Sequence, residues 1–204
     1  VTANAQSQPV GRALEAWTPP PRPPHIALDG RWCRVEPADP DAHATDLHAA
    51  NSADTAGRMW TYMPYGPFAD GAAYREWLAG MAAGADPLAY AIVDAADGRA
   101  AGVATYLNIR PAWGVIEVGH VALAPRLQGT TAATEAMYRM MAHAFALGYR
   151  RCEWKCDALN AASRRAALRL GFTFEGVFRQ HMVVKRRNRD TAWYAVTDRD
   201  WRWL

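Results

Sequence analysis

The stretch VIEVGHVALAPRLQGTTAATEA, residues 115–136, constrains this chain more than any other. It begins as an apolar strand, turns sharply at Ala124 and Pro125, and passes Arg126, Gln128 and Gly129 before a long helix-forming run. A strand that delivers a glycine-bearing loop onto a helix N-terminus gathers backbone N–H groups and the positive end of the helix dipole. That arrangement suits phosphate. Many such joints bind nothing, so the reading depends on what surrounds it.

Strands at LAYAIVD (88–94), AAGVATYLNI (100–109) and GVIEVGHVAL (114–123) are joined by a hairpin turn at 94–99 and a second turn at PAW, 111–113. Upstream, GRWCRVEP (30–37) reads as a first strand and Asp39–Asn51 as a helix. RMWTYMPYGPF (58–68) reads as an aromatic loop and Tyr74–Ala83 as a short helix ended by Gly84. Downstream, Ala132–Leu147 is an amphipathic helix whose Met137, Met140 and Met141 belong to a core. RRCEWKCD (150–157) is a strand with Cys152, Trp154 and Cys156 on one face and Glu153, Lys155 and Asp157 on the other. Asn160 caps a helix that Gly171 stops, strands at 172–185 and 189–197 are joined by RRN, and DRDWRWL closes with a short helix. The order suits an α/β fold, a mixed sheet with helices on both faces. Residues 1–24 end in WTPPPRPP and predict a proline-rich arm, leaving 25–204 as a single domain.

Half of the 204 residues are hydrophobic and nine are Trp, enough for a large core. A formal charge of +3 tolerates an anionic ligand but falls short of a nucleic-acid surface. The basic run KRRNR (185–189), offset by Asp190, reads as a solvated turn. Three cysteines without a CxxC pair, and no ligand set near Cys152 and Cys156, argue for a reducing compartment and no metal. No apolar run approaches the roughly 20 residues of a membrane span and no signal-like segment is seen, so no membrane partner and a cytoplasmic location are expected.

Several residues carry chemistry. Glu117 lies in a strand apolar on both faces. A carboxylate there must find a partner or raise its pKa, and so becomes a candidate base. A structural pairing is the competing reading. His120 is a second candidate, with a structural role as its alternative. Asn160 and Ser163 fall on the first turn of a helix one strand and one helix beyond the phosphate-type loop. In a parallel arrangement the two helix N-termini stand side by side, so one ligand could reach both. Trp60, Tyr62 and Tyr65 plug the core or wall a substrate pocket, in the latter case favouring an acceptor with apolar or cationic surface.

IEVGH, PRLQGTTAATEAM, LGYRRCEWKCDALNAASRRAALRLGFTFEG and FRQHMVVKRRNRDTAWY, in that order, resemble the GCN5-related N-acetyltransferases (GNAT), in the RimJ/RimL branch of ribosomal-protein acetyltransferases. The resemblance covers residues 30 to about 200. It implies the GNAT fold, a mixed and mostly antiparallel sheet of about seven strands flanked by helices. It also implies acetyl-CoA as co-substrate without a metal, and a cofactor site formed by Val121, Leu123, Arg126, Gln128, Gly129, Thr130, Thr131, Asn160 and Ser163. The family's loop pattern, Arg/Gln-x-x-Gly-x-Gly/Ala, ends here in Thr131, a departure that puts a β-branched side chain where backbone meets phosphate. The implied reaction is direct transfer in a ternary complex to a primary amine, either a protein N-terminus or a small amine. Glu117 is the base, a backbone N–H near Val121 meets the oxyanion, and Ser163 or a tyrosine is the acid. The alternative is a non-catalytic acyl-CoA-binding or regulatory module. A monomer or a homodimer fits either.

Overall fold

The computed structural model describes residues 2–204. The chain begins with a two-rung ribbon of β1 (Thr2–Ala3) and β2 (Pro9–Val10), set in the segment expected to be an extended arm. The main sheet is built from β3 (Leu28–Asp29), β4 (Cys33–Pro37), β5 (Leu88–Asp94), β6 (Arg99–Arg110), β7 (Val115–Leu123), β8 (Arg151–Asp157), β9 (Thr173–Val184) and β10 (Arg187–Thr197). Its order is β3-β4-β5-β6-β7-β8-β10-β9, and every pair is antiparallel except β7 with β8. The expected sheet of about seven strands numbers eight, the extra one formed where Leu28 and Asp29 pair with Val35 and Arg34 at the edge.

Four helices cover the sheet, each started by a side-chain cap. They are α1 (Pro40–Asn51, capped by Asp39), α2 (Gly71–Ala82, Asp70), α3 (Thr131–Ala146, Thr130) and α4 (Ala161–Arg169, Asn160). The Asp70 cap explains why α2 begins before Tyr74. Leu47, Tyr74 and Leu78 of α1 and α2 pack on Ala89, Ala91, Val103 and Ala122. Met137, Met140 and Met141 of α3 and Ala167 of α4 pack on the opposite face with Tyr90, Ile92, Tyr106, Ile116, Val118, Cys152, Trp154 and Cys156. With helices on both sides, β5 from Leu88 to Val93 and β6 from Ala100 to Ala104 are continuously non-polar, as a doubly covered strand must be.

Two local devices shift elements from their sequence pattern. Glu135 of α3 is buried and accepts backbone N–H bonds from Arg31, Trp32 and Cys33 at 2.8, 2.7 and 3.1 Å. That grip holds 30–32 as a turn, so β4 starts at Cys33. Gly30 is required there, because a Cβ would stand 2.4 Å from the Glu135 carboxylate. Bulges then bend β6 at Asn108 (φ 48°) and β7 at His120 (φ 49°), both left-handed without being glycine.

The N-terminal segment lies against the domain. Tyr149 and Tyr90 donate their hydroxyls to the carbonyls of Pro21 and Pro24 at 3.2 and 3.4 Å. Arg22 donates to Ala85 at 2.7 Å, and Trp17 lies beneath the Arg150 guanidinium. Among the described residues no helix is long and apolar enough to cross a membrane.

Candidate active site

Among the described residues one pairing in the sheet is parallel, and it is short. β7 and β8 share three rungs, Val115–Arg151, Ile116–Cys152 and Glu117–Glu153, and then part. Past Glu117 the β8-facing edge of Val118–Leu123, which includes Val121 and Leu123, has no strand partner among the described residues. This V-shaped seam leads to the loop before α3. Leu127 and Gln128 turn their N–H groups back onto Ala124, and Thr130 caps α3 through Ala133. The N–H groups of Gly129, Thr131 and Ala132 have no acceptor among the described residues. Gly129 is left-handed at φ 72°, and a Cβ there would meet nothing within 4 Å. Open amides and open space at the N-terminus of a 16-residue helix fit a pyrophosphate. The seam and the open amides at its end together offer donors and space to a ligand that carries a pyrophosphate.

Other cofactor residues differ from expectation in detail. Arg126 is engaged by the β5–β6 turn, 3.4 Å from Asp94 and 3.1 Å from Asp97, and donates to the Arg99 carbonyl. Gln128 donates to the Leu123 carbonyl at 2.9 Å, covering a group expected to face the pantetheine arm. Thr131 is the first helical residue and its side chain is exposed, so its branch points into solvent. Asn160 accepts the Ser163 N–H at 3.1 Å. The Ser163 hydroxyl accepts the Trp154 indole N–H at 3.0 Å, on the face that α3 and α4 cover.

Glu117 projects to the other face. It is 5% exposed and sits at the last shared rung. Asn108, turned by the β6 bulge, and Lys155 of β8 both donate to its Oε2 at 2.7 Å. Oε1 has no donor among the described residues and lies toward Gly119, 3.3 Å from where a Cβ would stand. Burial raises the Glu117 pKa and the Lys155 ammonium opposes it; the net direction is up. Lys155 also contacts Glu153 at 2.8 Å, lies 4.0 Å over the Trp193 ring, and connects through Glu153 to Arg151 and Glu175.

The aromatic loop stands over this face. His120 stacks on Tyr65 with ring centres 5.6 Å apart, and its Nδ1 meets the Tyr65 hydroxyl at 3.1 Å. Burial, and then the Arg189 charge, lower the His120 pKa, so the ring is neutral near neutral pH. Trp60 is buried among Tyr65 and Phe68 and fills core. Tyr62 reaches the Leu159 carbonyl at 3.2 Å, and Lys185 donates to the carbonyls of Trp60 and Gly66, both at 2.8 Å. The loop is thus tied to the β8–α4 turn and to the β9–β10 hairpin.

The structure brings Glu117, His120 and Tyr65 to one face and places Ser163 on the other. Sequence reasoning missed Lys155 and Asn108. Strand alternation had put Lys155 on the polar face of its strand, the one signal available, while Asn108 depends on a bulge that no pattern announces.

A family model described as an acetyltransferase (GNAT) domain matches residues 34–173. A GCN5-related N-acetyltransferase from Brucella melitensis is 45% identical, with a TM-score of 0.90 over 93% of this chain and 86% of that one. A GNAT-family protein from Chromobacterium violaceum ATCC 12472 is 41% identical, with a TM-score of 0.89 over 96% and 98%. The Salmonella typhimurium acetyltransferase that modifies the N-terminal serine of ribosomal protein L7/L12 is 22% identical at a TM-score of 0.71, over 84% of this chain and 98% of that one, and so shares the fold. No curated protein sequence matches the chain.

Proposed function

The chain belongs to the GNAT acetyltransferase family and is an acetyltransferase; from that premise we propose that it acetylates a primary amine, a protein N-terminus or a small amine, with both substrates bound together and Glu117 as the base. Acetyl-CoA, the co-substrate of GNAT domains, supplies the acetyl thioester. The chain's residues supply the rest. Gly129, Thr131 and Ala132 offer N–H groups to phosphate, and the open edge at Val121 offers N–H groups to a polarised carbonyl.

The observation that carries this reading is the unequal treatment of the two Glu117 oxygens. Oε2 is held by Asn108 and Lys155, which fixes the carboxylate plane, while Oε1 is left to receive a proton. An alkylamine with a pKa of about 10 arrives protonated and must lose that proton, directly or through water, before its nitrogen can attack. A carboxylate whose pKa burial has raised is a better acceptor than a solvated one. Ser163, whose oxygen accepts from Trp154, remains the proposed acid.

The test is a thiol-release assay with a panel of small amines and free-N-terminus peptides, run on wild type and Glu117→Gln beside a binding measurement with acetyl-CoA. We expect kcat to fall by about 10²–10⁴-fold in the variant while acetyl-CoA affinity is retained. A variant that keeps wild-type kcat removes Glu117 from the mechanism.

A further inference from the structure

Arg189 was read from sequence as part of a solvated basic turn, and the structure places it elsewhere. Along its ladder with β8, β10 keeps unbroken register from Thr191 to Thr197, so Thr191 and Trp193 share the Glu117 face, while its pairing with β9 shifts register between Arg189 and Thr191 and between Trp193 and Tyr194. Trp193 sits opposite Lys155 and Thr191 opposite Asp157, and Arg189 follows beyond the last β8 rung. The hairpin carrying it leans over the cleft, since Lys185 at its tip is bonded to the aromatic loop. Arg189 lies close enough to His120 for its charge to contribute to that ring's lowered pKa, and its charge also reaches Cys156.

Among the described residues the Arg189 guanidinium has no partner. Its Nε is buried without an acceptor, as is the indole N–H of Trp193 on the Glu117 face. Arg34, Arg126, Arg139 and Arg151 each meet a carboxylate. The carboxylates near Arg189 are engaged by other donors: Asp190 accepts from Gln180 and Asn188 at 2.7 and 3.0 Å, and Asp157 accepts from Leu159 at 2.9 Å. A half-buried cation with an unmet donor is costly to keep, and a guanidinium fork is shaped for the two oxygens of a carboxylate.

Resting on the acetyltransferase reading above, we propose that Arg189 is the acceptor-recognition residue and that the preferred acceptor is an amine carrying a carboxylate. The carboxylate docks on Arg189 while the amine lies toward Glu117. It can belong to a free amino acid or to an acidic side chain near a peptide N-terminus, and the chemistry read by Arg189 is the same.

Two matched pairs test this: an amino acid against its carboxamide, and a C-terminally amidated dipeptide with Asp against Asn at its second position. Wild type is expected to favour the carboxylate member of one pair by about tenfold or more in kcat/KM, and the responding pair names the source. Arg189→Gln should erase that difference by lowering the carboxylate member, chiefly through KM. Arg189→Lys should keep part of it, and Arg187→Gln, at the exposed first position of β10, should keep all of it. Wild type that treats both pairs alike, or an Arg189→Gln that lowers both members equally, overturns the inference and leaves the acetyltransferase reading standing. If no acceptor turns over, calorimetry on the acetyl-CoA-loaded protein decides. Binding of the carboxylate members that Arg189→Gln abolishes upholds the site and unseats the amine acceptor, whereas no binding to wild type overturns the inference.

Discussion

Lys155 and Glu135 show how far a single buried charge is shaped by its neighbours. Lys155 opposes the upward effect of burial on the Glu117 pKa. Lys155→Met should therefore push the acidic limb of the kcat/KM–pH profile to higher pH and lower the rate at neutral pH, with acetyl-CoA affinity unaffected. A limb that stays in place shows that Lys155 does not tune Glu117. At Glu135 burial alone would raise the pKa, but the backbone N–H donors of Arg31, Trp32 and Cys33 outweigh it and the net direction is down. The unfolded state then binds the proton more readily, so the contribution of Glu135 to stability is present above the ordinary glutamate pKa and is lost as pH falls through the lowered one. Glu135→Ala leaves three N–H groups without their acceptor and should cost roughly 2–4 kcal/mol in urea unfolding at neutral pH. Glu117 was legible in the sequence because a carboxylate stands out among Val115, Ile116 and Val118. Lys155 and Arg189 were not, because a cation on a polar strand face or near a turn looks the same whether its partner is water, a carboxylate or a substrate.

At the scale of elements, the β9–β10 turn ties geometry to function. Lys185 and Arg186 are both left-handed, at φ 47° and 62°, in a two-residue hairpin loop that prefers Asn-Gly. Such residues carry strain of about 1–2 kcal/mol each. The Lys185 bonds to Trp60 and Gly66 explain why a lysine stands there. Replacing the pair with Asn-Gly should raise the unfolding midpoint and, at the same time, speed amide exchange across residues 58–68 by freeing the loop. Slower or unchanged exchange in that loop contradicts the latch. Strand and helix identities were legible because alternation, caps and terminating glycines agree locally. The β4 start and the two bulges were not, because Glu135 reaches Cys33 across 102 residues and a bulge is defined only against its neighbouring strand.

For the molecule as a whole, the proline-rich arm acts as a brace. It accepts the hydroxyls of Tyr90 and Tyr149, both buried, and carries Trp17 to Gly114 and Arg150. Deleting residues 2–24 should cost about 3 kcal/mol, a drop of roughly 6–12 °C in Tm, while leaving the loop at Gly129 able to hold acetyl-CoA. A truncated protein with wild-type Tm would show the arm to be a passenger. The order of elements was legible from β4 onward, but neither the short strands before it nor this bracing was, since prolines announce an extended chain without saying what it lies upon.

The seam between β7 and β8 also has a mechanical consequence. It divides the sheet into plates of five and three strands joined along only three rungs, a hinge roughly 10 Å long. Apart from the two-rung edge pairing of β3 with β4, every other junction in the sheet is longer, so the softest motion between large parts is a rocking of one plate against the other about Val115–Glu117. A pantetheine arm laid in the slot would act as a splint across that hinge. The protein should stiffen as a body on binding, and its compliance belongs to the gap through which the substrate enters.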